Sequence, residues 1–164
     1  MSITVGFSTH GGLLSWLIRK ATRSPASHAW ILYDDPTFGE RMVLESTALG
    51  FHLSPFDGWS HHNRVVEVFD FEAPLSDGLK AVTQFLGERY DVGGLLGMPI
   101  VLLGRWMRRK WLNPFRSSKA VFCSEAVVRT LQGARVAGSL ELDPEGTSPG
   151  DLLEFCQRTG RKRE

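Results

Sequence analysis

The sequence predicts an α+β fold in which an antiparallel β-sheet is covered by packed helices. Three observations predict it. A hairpin pattern lies between His28 and Ser46, amphipathic helical stripes flank the strand-like runs, and the regular strand–helix–strand rhythm of a parallel sheet is missing.

The elements follow in chain order. Ile3 to Phe7 reads as a short strand. Gly11 and Gly12 release a helix with Leu13, Leu14, Leu17 and Ile18 at helical spacing on one face, ending near Thr22 before Ser24-Pro25. His28 to Tyr33 and Met42 to Ser46 are rich in β-formers, and the cluster Asp34-Asp35-Pro36-Thr37-Phe38-Gly39 between them marks a hairpin turn. Val65 to Phe71 is the clearest strand. Val66, Val68 and Asp70 share one face; Val65, Glu67, Phe69 and Phe71 share the other. Ser76 is placed to cap a helix running to Arg89, with Leu79, Val82, Phe85 and Leu86 as its apolar stripe. A further helix begins near Cys123 or Ser124, carries Ala126, Val127 and Leu131, and stops at Gly133.

No repeat or low-complexity linker divides the 164 residues, so residues 1–164 read as a single domain. Hydrophobic residues at 42% and charged residues at 23% are those of an ordinary globular chain and exclude disorder. With 19 basic and 18 acidic side chains the net charge is only +1, which argues against a nucleic-acid partner. Two cysteines are too few for a disulfide-stapled scaffold. The opening MSITVGFSTHGG lacks the regions of a signal peptide, and the apolar run from Val92 to Gly104 is short and broken by Pro99. A cytoplasmic location is the expectation.

The chemistry-bearing residues start with Cys123, in Phe122-Cys123-Ser124-Glu125 at a junction leading into a helix. A cysteine there meets the unsatisfied N–H groups and positive end of the helix, which favour thiolate over thiol, and the same N–H groups can receive an oxyanion. A thiol nucleophile needs a base. Of five histidines, His28 has the most fitting context, opening an apolar strand after Ala26 and Ser27. A histidine base needs an orienting polar partner. A hairpin turn near Thr37-Phe38 sets Glu45 directly opposite His28 on the same sheet face, and a carboxylate within Val43-Leu44-Glu45-Ser46 has little other reason to stand in a strand. Taken singly, a free cysteine or a strand histidine is more often a structural group than a catalytic one.

These residues resemble those of the permuted papain-like hydrolases, the YiiX-like branch of the NlpC-type superfamily. Ser27-His28-Ala29-Trp30-Ile31 is similar to the family's histidine strand, and Val43-Leu44-Glu45-Ser46 leading to Gly50 to its acidic strand. Gly87-Glu88-Arg89-Tyr90-Asp91 resembles the Gly-x-x-Tyr-Asp after its middle helix, and Phe122-Cys123-Ser124-Glu125 its nucleophile segment. Ser148-Pro149-Gly150-Asp151-Leu152 is similar to its closing strand or turn. The order of the set matches throughout, with the cysteine after the histidine as permutation requires.

The resemblance implies a circularly permuted papain-like domain with a partly barrel-like sheet. It also implies a Cys123 nucleophile, a His28 base, an orienting Glu45, and hydrolysis or transfer at an amide or ester carbonyl through an acyl-enzyme. Ser124, Tyr90 and Trp30 are then candidates for substrate binding or the oxyanion. Trp30 stands where the family usually has Gly and is expected to narrow the site, and residues 92–119 form an apolar and basic insertion.

Within that insertion, Leu95 to Phe115 mixes Leu96, Ile100, Val101, Leu102 and Leu103 with Arg105, Arg108, Arg109, Lys110, Trp106 and Trp111. It reads either as a helix pair covering the core or as an interfacial segment meeting anionic lipid or an acyl substrate. His61-His62 reads as a loop, since no Cys/His spacing suits a metal, and neither metal nor cofactor is expected. The tail Arg161-Lys162-Arg163 reads as solvated. The function expected is a cysteine amidase or peptidase-like hydrolase acting on a small acylated or peptidic substrate. The alternatives are a lipid acyltransferase related to the lecithin–retinol acyltransferase group, and a non-catalytic binding module of the same fold.

Overall fold

In the computed structural model, residues 2–47, 49–87 and 122–163 are described. The expectations for Tyr90-Asp91 and for the 92–119 insertion lie outside the described residues. The chain forms β1 (Ile3–Thr9), α1 (Leu13–Thr22), β2 (His28–Asp35), β3 (Glu40–Thr47), β4 (Gly50–Pro55), α2 (Phe56–Ser60), β5 (Arg64–Asp70) and α3 (Ser76–Thr83). After the undescribed stretch come α4 (Cys123–Gly133), a 3₁₀ turn (Ser139–Glu141), α5 (Pro149–Thr159) and β6 (Arg161–Lys162).

The six strands lie in the order β4-β3-β2-β1-β5-β6, and every pairing is antiparallel. This is the α+β sheet expected from the hairpin pattern. It is not the partly barrel-like one: β4 and the two-residue β6 are its edges, and they do not meet.

The β2–β3 turn is built by Asp35, whose Oδ1 accepts from the N–H groups of Thr37 (2.7 Å) and Phe38 (3.1 Å). Gly39 closes it at φ +68°, a conformation that favours glycine. The last pair is Asp35↔Glu40 and the register runs back through Ile31↔Leu44. Continued by one step, it sets Glu45 opposite Trp30. The expected direct pairing of His28 with Glu45 is therefore displaced by two residues, to a diagonal one. A two-residue shift leaves the side-chain face unchanged, so both residues still belong to one face.

The faces are filled differently. On one, Val5, Phe7, Ala29, Ile31, Leu44 and Phe69 pack against Ala126, Val127 and Leu131 of α4 and Leu152, Leu153 and Phe155 of α5. The Val, Leu, Ile and Phe side chains among them contribute about 1.5–3 kcal/mol each relative to exposure. On the other, Trp30, Leu32, Val43 and Trp59 form a smaller core under α2. Trp30 fits only because Gly6 lies across from it: a Cβ at Gly6 would stand 2.3 Å from the indole ring.

Several local expectations are corrected. The helix after Ser76 ends at Thr83 instead of continuing to Arg89, and Leu75 rather than Ser76 is its N-cap. Ser148 to Leu152 is no strand or turn but the start of α5. Ser148 and Asp151 form a reciprocal capping box there with Pro149 as first helical residue, an arrangement that starts helices. The tail is not free: Arg161-Lys162 pairs with β5, the Arg163 N–H donates to the Val68 carbonyl, and Lys162 meets Glu67 at 3.2 Å. In α1, Leu13, Leu14 and Leu17 are exposed and Ser15 is the buried residue.

Candidate active site

Cys123 is the first helical residue of α4, after an extended Phe122 whose side chain supplies no cap. The start is organised instead by Glu125. Its carboxylate accepts from the Phe122 N–H and from Arg129 at 2.7 and 2.9 Å, and burial still holds its pKa above the ordinary range. The Ser124 hydroxyl donates to the Thr147 carbonyl at 2.7 Å, which ties α4 to the loop before α5. With its side chain so engaged, Ser124 offers the site only its backbone N–H.

That N–H and the N–H of Ala29 both point at the Cys123 sulfur. The thiol is buried, and burial alone would raise its pKa. The charge of His28, a hydrogen bond with it and the two backbone donors outweigh burial, so the pKa falls below its ordinary 9.0. For His28 burial pulls downward; the charge and hydrogen bond of Cys123, followed by those of Glu45, overcome it and raise the pKa from 6.5 to about 10. Each charge therefore stabilises the other, and the two shifts together favour thiolate and imidazolium over thiol and neutral imidazole.

His28 Nε2 donates to Glu45 Oε2 at 2.7 Å, which leaves the other ring nitrogen for the sulfur. Burial would raise the Glu45 pKa. The hydrogen bond and charge of His28 lower it, helped by the Trp59 indole and by the charge of His52. The indole is near rather than bonded, since Trp59 Nε1 is buried without a hydrogen bond among the described residues. His52 Nε2 stands 3.6 Å from Glu45 Oε1, and its Nδ1 lies 2.9 Å from the Gly50 carbonyl. Glu45 therefore lies between two histidines of neighbouring strands.

The site sits at the beginning of β2. α4 packs on the Ala29 and Ile31 face, whereas Glu45 shares the opposite face with Trp30. As the first residue of β2, His28 is accessible from both, and the chain Cys123–His28–Glu45 passes around the strand end through it.

Cys123, His28 and Glu45 are brought together. Ser124 adjoins them through its main chain. Trp30 does not line the cleft: it is fully buried against Gly6, with Trp59 4.8 Å away ring to ring and Phe56 at 6.2 Å. Its place at the site is corrected to a place in the second core. Tyr90 lies outside the described residues. Sequence reasoning does not give His52 its place beside Glu45, although Gly50 after Ser46 signals a second hairpin that pairs Glu45 with His52. It also misses the Ala29 N–H, which no side-chain pattern announces. Cys156 is buried in the main core, its pKa pushed up by burial, and both cysteines are free thiols. His61 and His62 are exposed after α2, and among the described residues no group of three or more His, Cys, Asp or Glu side chains could hold a metal.

No family model and no curated protein matches the chain. Among solved structures it is similar to one described as the metalloprotein yiiX from Escherichia coli O157:H7, DUF1105. The TM-score is 0.58 at 20% identity, over 96% of this chain and 81% of that one. The chain has a YiiX-like fold.

Proposed function

We propose that this chain is a thiol-dependent hydrolase, amidase or peptidase-like, with a permuted papain-like arrangement of Cys123, His28 and Glu45. The observation that carries the reading is the buried relay in which a thiol of lowered pKa adjoins a histidine held at 2.7 Å by a buried carboxylate. An ion pair of this kind is reactive without a prior proton transfer.

The thiolate attacks the carbonyl carbon of an amide or ester, and a C–S bond forms as the carbonyl electrons move to oxygen. N–H groups at the start of α4 receive that oxyanion. The intermediate collapses, the C–N or C–O bond breaks, and the His28 imidazolium gives its proton to the leaving group. Water then attacks the thioester while His28 takes a proton from it, and the C–S bond breaks to restore the thiolate. Glu45 keeps the ring oriented and stabilises its charge throughout.

The test is covalent labelling with p-nitrophenyl acetate as a generic acyl donor. A burst of p-nitrophenol with an acetyl adduct on Cys123 is expected, and Cys123→Ala abolishes it while the circular dichroism spectrum stays unchanged. An adduct on Cys156, or full turnover by the variant, ends this mechanism.

A further inference from the structure

An amphipathic helix on a globular protein normally turns its apolar stripe inward. α1 does the reverse. Leu13 is 74% exposed, Leu14 50%, Trp16 47% and Leu17 48%, while Ser15 is buried. The inward side is held by polar contacts. Ser15 Oγ lies 2.7 Å from Ser27 Oγ and 3.0 Å from Thr9 Oγ1, and Gly150 of α5 sits so close that a Cβ there would meet Thr22 and Ser24 at 2.9 Å. The helix is therefore firmly seated by its small hydroxyl face, and the outward position of the leucines is built in.

Its charge is one-sided as well. Arg19 and Lys20 lie in the last turn and Arg23 follows, with no acidic residue before Asp34. None of the three has an ion-pair partner among the described residues, and Arg19 Nε is buried without a hydrogen bond. Together with Trp16 and Ser24 they line a depression of about 330 Å³. Exposed leucines, a tryptophan with an apolar body and a polar N–H, and cations gathered around a concavity complement acyl chains, the interfacial zone and an anionic phosphate respectively.

We infer that α1 docks this protein on an anionic lipid surface. The leucines and Trp16 enter the headgroup–acyl boundary, and the depression beside Arg19, Lys20 and Arg23 receives a lipid phosphate. Since α1 leads through Ser24–Ser27 into His28, docking sets the thiol site close to the surface. The docking does not rest on the thiol chemistry.

The test is sedimentation of the full chain with vesicles of phosphatidylcholine containing phosphatidylglycerol, against pure phosphatidylcholine. Binding is expected for the anionic vesicles and weakens with salt. Leu13→Ser with Leu17→Ser, both at exposed positions, should reduce it about tenfold or more, and Lys20→Gln with Arg23→Gln about thirtyfold. Circular dichroism checks the fold of each variant, and iodoacetamide labelling of Cys123 should proceed at the wild-type rate in all of them. Equal binding to both vesicle types, no binding, or anionic binding unchanged in both folded variants overturns the inference. So does a dimer, seen by analytical ultracentrifugation, that the leucine variant abolishes while vesicle binding is unaffected.

Discussion

Glu45, 6% exposed, receives the His28 ring at 2.7 Å, and its charge together with that of Cys123 keeps the imidazolium protonated up to about pH 10. Orientation and charge can be separated experimentally, because glutamine keeps an acceptor oxygen and loses the charge. Glu45→Gln should therefore reduce kcat/KM by about tenfold, the difference between a charge-assisted and a neutral hydrogen bond. His28→Ala should reduce it about 10²–10⁴-fold, the usual worth of a general base. The alkaline limb of the pH–rate profile belongs to His28, so Glu45→Gln should move that limb below pH 10, whereas a carboxylate serving only to hold the fold would leave it in place. The three side chains are legible in the sequence as an ordered set. His28 and Glu45 are assigned to one face correctly because period two forgives a two-residue error in register. The role of His52 and the place of Trp30 are not legible, since both depend on which residue stands opposite, and Gly6 is what makes room for the indole.

Helix α4 carries the thiol, and what fixes its position is the crossing with α3. A Cβ on Gly78 would meet the Thr130 carbonyl oxygen at 1.8 Å, and one on Gly133 would stand 2.9 Å from Gly78 Cα. Neither backbone can yield without moving α4 off the sheet, where Ala126, Val127 and Leu131 are buried. Gly78→Ala should thus destabilise by about 3 kcal/mol or more, which lowers Tm by roughly 6–12 °C in a chain of this length. A thermal melt unchanged from wild type would mean that the two helices are not in this contact. Elements with a strong periodic pattern, β1, β2, β3, β5 and α4, are legible in the sequence. α5 is masked by Ser-Pro-Gly, which looks like a turn but serves as a helix start once Asp151 closes the capping box. In α1 the stripe is legible and its direction is not. Periodicity shows that one face is apolar; which face meets the protein is decided by Ser15, Ser27 and Gly150, from three separate segments.

At the scale of the molecule, the ion pair that would do the chemistry also ties folding to pH. In the unfolded chain His28 titrates near 6.5 and Cys123 near 9.0; in the folded chain the first is raised to about 10 and the second is lowered. The His28 contribution is complete below pH 6.5 and is lost as pH rises through 10. The Cys123 contribution is complete above pH 9.0 and is lost as pH falls through its lowered folded value. Below 9.0, and above both 6.5 and the lowered Cys123 value, the two slopes cancel, because the pair holds one proton in the folded and in the unfolded chain alike. Below 6.5 the unfolded histidine takes up a second proton, and above 9.0 the unfolded thiol releases its own while the folded imidazolium keeps its proton. Stability therefore declines on both sides, by up to about 1.4 kcal/mol per pH unit. The measurement is urea unfolding from pH 5 to 10.5 on the wild type and on Cys123→Ala, which removes the pair but leaves the sheet and α4 in place. The difference between the two curves should be flat through the neutral range and fall toward both ends. Which atom holds that proton is read from the ultraviolet absorbance of thiolate, which should be present in the folded wild type at neutral pH and absent from Cys123→Ala; no such difference would mean that the pair is neutral in the folded protein. Cys123 would then be a buried thiol beside a neutral histidine, and the activated nucleophile on which the proposed hydrolysis depends would be absent.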